Sequence, residues 1–245
     1  MSSSTSEPSG LREVPFARPD FGRQHRKGVP EIILADTKEI EHTLAIAASF
    51  LERTGRAILS RVPEELYKLL VERYGDDGVE WYRVSRTAIL RAPGNKVEQS
   101  GGRVGILTAG TSDHPVAEQA AIICQEMGCQ VHLVNDVGVA GIHRLFGPLE
   151  QFLKTIDVDV IIVAAGMDGA LPSVVSGLVE VPVIGLPTSV GYGMGGQGQA
   201  ALLAMLQTCS PGLAVVNIDN GIGAGAIAAL IANRVAAARQ QNGEI

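Results

Sequence analysis

Residues 165–193 read AGMDGALPSVVSGLVEVPVIGLPTSVGYG, and this stretch decides how the chain is read. An apolar run over 158–165 empties into Gly166-Met167-Asp168-Gly169, a segment of small residues returns, and a second apolar run over 181–186 ends in Pro187-Thr188-Ser189. Two successive strand ends therefore carry glycine, hydroxyl and carboxylate side by side. In an open parallel sheet the carboxyl ends of the strands form the ligand crevice, because the backbone there turns into helix N-termini whose free N–H groups attract anions. The stretch predicts the floor of an active site.

The same alternation extends to both sides of it. Strand-like runs occupy 104–109, 130–135, 158–165, 181–186 and 213–218, and helical stretches begin near Pro115, His143, Leu171, Gly196 and Gly221. Strand and helix in strict alternation predict an α/β fold, a doubly wound parallel sheet of the Rossmann or flavodoxin-like three-layer kind, with right-handed crossovers. Upstream the pattern differs. A helix from Thr37 to Gly55, a strand over 57–62, a helix over 63–74, a turn at 75–78 and one or two short strands within 79–90 predict a small α+β domain. The division is 1–19 as a disordered Ser-, Pro- and Glu-rich leader, 20–95 as the small domain, and 102–245 as the α/β domain.

Charge divides at the same place. Lys and Arg number 16 through Arg103 against 15 acids, leaving 4 against 11 beyond it, so the first part stands near +1 and the remainder near -7. A nucleic-acid surface is not expected. Hydrophobic residues make up 46% and aromatics 4%, which predicts a core of Ala, Val, Ile and Leu. No apolar run reaches the ~18 residues of a membrane span and no signal segment is visible at the N-terminus, so a cytoplasmic protein without a membrane is expected. Cys124, Cys129 and Cys209 form an odd set without metal-pair spacing.

Several residues stand where chemistry is possible. Gly110 allows close backbone approach, and Thr111, Ser112 and Asp113 either cap the helix opened by Pro115 or hold a phosphate or carboxylate. The segment fits neither the Walker A pattern nor the dinucleotide-binding glycine fingerprint. Asp168, between Gly166 and Gly169, is placed as a cap or as a general base. Asp219 and Asn220, ahead of Gly221, suit ribose hydroxyls or a helix cap. Cys209 lies at a helix-to-loop junction, unlike the apolar surroundings of Cys124, and His114 and His25 are the two histidines of interest. The basic cluster with Arg23, Arg26 and Lys27 reads as a solvated face or as an arm gripping a phosphate.

Taken together, Gly166-Met167-Asp168-Gly169-Ala170-Leu171-Pro172-Ser173, Thr188-Ser189-Val190-Gly191-Tyr192-Gly193 and Cys209 resemble the LarB family of nickel-pincer cofactor biosynthesis proteins, over nearly the whole chain from Arg23. The region from Gly102 is similar, more distantly, to the phosphoribosylaminoimidazole carboxylase/mutase family, through Ser112-Asp113 and Val183-Ile184-Gly185-Leu186-Pro187. At Asp168 the LarB pattern carries glutamate, so a base here is one methylene shorter. The LarB resemblance implies carboxylation of nicotinic acid adenine dinucleotide by carbon dioxide and hydrolysis of its phosphoanhydride. The products are pyridinium-3,5-biscarboxylic acid mononucleotide and AMP. It further implies Cys209 as nucleophile, Asp168 as base, and Mg²⁺ at the phosphoanhydride. Gly110, Thr111, Ser112, Asp113, Gly166, Met167, Thr188, Ser189, Asp219 and Asn220 would line the substrate, with Arg23, Arg26 and Lys27 on its phosphates. A homo-oligomer, an octamer, is implied as well. Two other readings stand beside it: an aminoimidazole ribotide carboxylase or mutase of purine synthesis, and a non-catalytic nucleotide-binding module.

Overall fold

The computed structural model describes residues 16–243. Most of the expected leader, 1–15, lies outside the described residues; of the rest, Phe16 stacks on His42 with ring centroids 3.8 Å apart and Ala17 packs against the core, so this short piece is structured. The chain divides into two units, Met1–Asn95 and Lys96–Ile245.

In the first unit, strands β1 (Ile32–Leu34), β2 (Arg56–Ser60), β3 (Val79–Tyr82) and β4 (Thr87–Arg91) form a sheet of order β1-β2-β4-β3. β1 runs parallel to β2, and the other pairings are antiparallel. Helix α1 (Arg23–Lys27) is a single short turn; α2 (Ile40–Thr54) and α3 (Glu64–Tyr74) each bury one side. α2 repeats apolar residues at three-to-four spacing and ends on Gly55, whose φ of 71° closes the helix with a hydrogen bond to Leu51. Ile46, Ala47, Phe50, Leu66 and Leu70 meet Leu59, Ala88 and Leu90 of the sheet in one core cluster. Tyr67 stacks on Trp81 at 4.5 Å.

The second unit holds strands β5 (Arg103–Thr108), β6 (Gln130–Val134), β7 (Val160–Ala165), β8 (Val183–Pro187) and β9 (Leu213–Val215), all parallel, in the order β6-β5-β7-β8-β9. Sequence order reverses beside β5, the switch point at which open α/β sheets bind ligands. Every residue of β7 and β8 is buried, as expected for strands covered on both faces. One covering layer is α4 (His114–Glu126) with α8 (Gly221–Gln241). Their backbones approach closely: a Cβ on Gly225 would stand 2.5 Å from the carbonyl oxygen of Ala120. Ala224, Ala228, Ala229, Ala232 and Ala236 supply α8's buried side, and small side chains are what let the two helices sit so near. The other layer consists of α5 (His143–Glu150), α6 (Ala170–Ser176) and α7 (Gln199–Leu206), joined through Leu145, Leu149, Phe152, Leu171, Val175, Ala201 and Met205. Gly105 in β5 leaves the room that Phe152 fills.

α8 has 21 residues, and an 18-residue window of it reaches a mean hydropathy of 1.5, long and apolar enough to cross a membrane by composition; here its alanine side lies on the sheet. One expectation changes. β9 stops at Val215, because Asn217 turns its own side chain onto the N–H of Ile218 and Asp219 adopts a left-handed φ of 55°.

Candidate active site

The carboxyl ends of β5, β7 and β8 are tied together by one buried side chain. Asp113, 3% exposed, accepts from the N–H of Gly110 at 2.8 Å and from the Thr188 hydroxyl at 2.6 Å, and Gly166 also donates to it through its backbone. Burial raises its pKa above the ordinary carboxylate value; the three hydrogen bonds oppose that rise and the nearby charge of Asp219 adds to it. Thr188 is itself fully buried, and its N–H returns to Ala165 at 3.1 Å. Asp113 therefore works as a clamp holding three loops in register, with both carboxylate oxygens engaged.

Gly166 has no room for a side chain. A Cβ there would come within 2.8 Å of the Thr188 hydroxyl and 2.9 Å of Val190 Cβ. Met167, with φ at 53°, donates to the Val190 carbonyl at 2.8 Å, which locks the turn and leaves Asp168 exposed at the end of β7. A non-glycine residue in this conformation is held at a cost of about 1 kcal/mol. On the far side, Asp219 accepts from the N–H of Ser189 at 2.9 Å and donates its own N–H to the Pro187 carbonyl at 2.9 Å. Thr111, Ser112 and Ser189 are exposed beside these groups. The result is a crevice with a fixed floor and polar walls. It offers an exposed carboxylate, hydroxyls and backbone N–H groups, the combination that proton transfer beside an anionic ligand requires.

The expected residues divide into three sets. Gly110, Thr111, Ser112, Asp113, Gly166, Met167, Asp168, Thr188, Ser189 and Asp219 are brought together at the carboxyl edge of the parallel sheet. Asn220 is there too, but its side chain accepts from Gly223 at 2.9 Å and serves as the N-cap of α8. Arg23, Arg26 and Lys27 belong to the first unit. There Arg23 pairs with Glu31 at 2.7 Å and Arg26 with Asp20.

Cys209 and Asp168 are expected in one site; within a single chain, strand direction separates them. Cys209 precedes β9 and so lies at the amino edge of a parallel sheet, opposite the crevice. Ser210 beside it meets Ser176, the last residue of α6, at 2.9 Å, whereas Asp168 lies at the start of the same helix. At ~1.5 Å per residue, the six steps of α6 from Ala170 to Ser176 put roughly 9 Å between its ends, and Asp168 lies beyond the first of them. Cys209 is nonetheless an exposed thiol; Cys124 and Cys129 are buried, and burial pushes both of their pKa values up, that of Cys129 to about 11.

Residues 103–244 match the family described as AIR carboxylase, and residues 11–92 match the LarB/PurE-like N-terminal domain. The chain belongs to the AIR carboxylase family, in its LarB/PurE-like form. An uncharacterized protein of Methanocaldococcus jannaschii is 43% identical over 222 residues, covering 87% of this chain and 82% of that protein. The N5-carboxyaminoimidazole ribonucleotide mutase of the same organism is 34% identical over 137 residues, covering 56% of this chain and 80% of the mutase. Treponema denticola PurE aligns in structure with a TM-score of 0.43 and 24% identity, over 54% of this chain and 78% of that one. In this LarB/PurE-like chain the crevice lies wholly within the unit that matches the carboxylase family.

One charged group close to this edge was not singled out in the sequence. The β6 corner of the crevice, with Asn135, Asp136 and Arg144, was read as strand and helix only, although Arg144 is the single Lys or Arg that closely follows a strand's carboxyl end in the second unit. That position was the available signal.

Proposed function

We propose that the protein carboxylates the pyridinium ring of nicotinic acid adenine dinucleotide with carbon dioxide and hydrolyses its phosphoanhydride, giving pyridinium-3,5-biscarboxylic acid mononucleotide and AMP. One observation carries this reading over its purine rival. The match to a LarB/PurE-like N-terminal domain, and the 43% identity spanning 87% of the chain, take in a first unit that the 56% match to the mutase leaves largely outside.

The chemistry accounts for the residue types. A pyridinium ring is electron-poor and does not attack carbon dioxide. Addition of a Cys209 thiolate to the ring carbon para to nitrogen converts the ring to an enamine, whose neighbouring carbon is nucleophilic. That carbon forms a bond to carbon dioxide, Asp168 removes its proton, and expulsion of the thiolate restores the aromatic pyridinium. Water then cleaves the phosphoanhydride. Because Asp168 and Cys209 stand at opposite edges of one sheet, the reading requires the thiol of a second copy to enter the crevice, so a homo-oligomer is part of the proposal. Gly110, Thr111, Ser112, Gly166, Met167, Ser189 and Asp219 line the ring and ribose, while Asp113 and Thr188 hold the loops that carry them.

For Mg²⁺, no group of three or more His, Cys, Asp or Glu residues poised to hold a metal ion occurs among the described residues. No step here is routed through the ion; in this proposal Mg²⁺ accompanies the substrate phosphates.

The test is mass spectrometry of products after incubation with the dinucleotide, Mg²⁺ and labelled bicarbonate, in wild type and Cys209→Ala. The reading expects a labelled dicarboxylated mononucleotide together with AMP, both absent from the variant. Full carboxylation by Cys209→Ala removes the thiolate step. Unchanged dinucleotide beside turnover of an aminoimidazole ribotide establishes the mutase reading instead, and binding without AMP release favours a non-catalytic module.

A further inference from the structure

We infer that Arg61 and Arg86, with the hydroxyls of Ser60 and Thr87 beside them, form a site in the first unit for the phosphate group of a small molecule. The inference concerns a unit that does not carry the crevice, and it is independent of the reaction proposed above.

It begins from the pairing of β2 with β4. The register runs Arg56↔Arg91, Ala57↔Leu90, Ile58↔Ile89 and Leu59↔Ala88. Continued by two residues, it sets Ser60 opposite Thr87 and Arg61 opposite Arg86. The two segments are still joined there, since Val62 donates to the Arg86 carbonyl at 2.8 Å. An arginine thus faces an arginine at each end of the pair. Like charges directly opposite one another destabilise a sheet unless something neutralises them.

The two ends differ in how this is met. At Arg56↔Arg91 the unit has its own partners: Arg91 pairs with Glu80, and Nη2 of Arg56 donates to Gln24 Oε1 at 2.8 Å. At the other end Asp36 stands 3.5 Å from Nη1 of Arg61, the outer limit of a hydrogen bond. The Arg86 guanidinium has no ion pair or hydrogen bond among the described residues, and Arg83 in the same turn adds a further positive charge. Lys38 donates to the Leu34 carbonyl at 3.0 Å, while Glu64 and Glu65 lie in the first turn of α3, whose N–H groups attract them. Arg86 is exposed and the Arg61 side chain is 40% exposed, so a ligand reaches both.

Backbone and burial point to the same place. Arg61 and Arg86 hold left-handed φ values of 57° and 53°, a conformation that glycine adopts readily and residues with a Cβ seldom do. Next to them in the register, Ser60 and Thr87 are each 2% exposed, and neither Ser60 Oγ nor Thr87 Oγ1 has a hydrogen-bond partner among the described residues. Buried hydroxyls in folded proteins are nearly always satisfied, so this end lacks an acceptor as well as a negative charge. Phosphate supplies both. Its oxygens accept from two guanidinium groups and a hydroxyl at once, and its double charge matches two arginines, where a carboxylate matches one.

Calorimetric titration of the full-length protein with inorganic phosphate tests the inference, with urea unfolding of the unliganded protein measured beside it. Wild type is compared with Arg86→Gly, Thr87→Val and Arg73→Gln, the last at the opposite end of α3. Arg86→Gly is expected to weaken binding roughly tenfold or more with stability unchanged or higher, because glycine accepts the left-handed backbone. Thr87→Val is expected to weaken binding roughly threefold or more, again without loss of stability, since the hydroxyl it removes leaves no partner behind. Arg73→Gln binds as wild type does. Wild-type binding by Arg86→Gly or by Thr87→Val overturns the inference. So does a loss of binding matched by a loss of stability, which marks a structural role, and so does wild type that binds no phosphate. None of these readouts uses turnover, so failure of the proposed reaction and failure of this site are distinct results.

Discussion

Asp113 at the carboxyl edge of the parallel sheet and Asp159 at its amino edge are both buried carboxylates, but their partners differ in charge. Asp159 accepts from the backbone N–H of Arg103 at 2.7 Å and is paired with the Arg239 guanidinium; beside it Arg103 pairs with Asp157 at 2.8 Å. Asp113 is satisfied by a hydroxyl and backbone N–H groups alone. One edge uses its cations to fasten the end of α8 to the start of β7. The other fixes its loops with neutral donors. The two edges thus divide stability from chemistry, and substitutions on each should separate the two properties.

The largest effect on stability is expected at the amino edge. Arg239→Met removes the guanidinium paired with Asp159, whose side chain is 4% exposed, leaving it the more distant charge of Arg103, and should cost about 3 kcal/mol in urea unfolding. Product formation at a temperature where the variant is folded should hardly change; a large loss of turnover in folded protein breaks the division. Next comes Gly166→Ala. Its methyl group meets the Thr188 hydroxyl and Val190, which should destabilise the unit by about 1–3 kcal/mol. Because the displaced loops carry Asp168 and Ser189, AMP release should fall ~100-fold, out of proportion to the change in stability.

The smallest effect concerns pH. Burial raises the folded-state pKa of Asp113 above the ordinary value of 3.8, so the folded chain holds this proton more tightly than the unfolded chain does. The sign follows from linkage: this contribution is full below 3.8 and is lost as pH rises through the raised folded value, after which it is level. Asp113→Asn should flatten that segment of a stability profile measured by urea unfolding across the acid range. A profile that keeps the segment assigns it to another carboxylate.

Much of the fold was legible because local and long-range signals agree in it. The β-branched runs at 160–165 and 183–187, the glycine closing α2 and the proline opening α4 each state a local preference that packing then uses. β1 was missed: three residues give too short a run for periodicity to register. The crevice was legible in Gly110, Gly166, Asp168 and Thr188, since strand ends that alternate with helices fall on one edge. The clamp at Asp113 was not, because its partners are 53 and 75 residues away in sequence. Cys209 was grouped with Asp168 by resemblance, although its position before a parallel strand puts it on the opposite edge.

The opposition of Asp168 and Cys209 is the point at which the account is most exposed, and mixing two inactive variants probes it directly. Asp168→Asn and Cys209→Ala, each inactive alone, are unfolded together, refolded, and given the dinucleotide with labelled bicarbonate. If each crevice takes its thiol from a neighbouring copy in a paired arrangement, random assembly leaves roughly a quarter of the crevices intact, and the labelled dicarboxylated mononucleotide returns at about that fraction of wild-type yield. No recovery from a mixture that refolds fully would show that both groups must lie in one chain, contradicting a reaction shared across two edges.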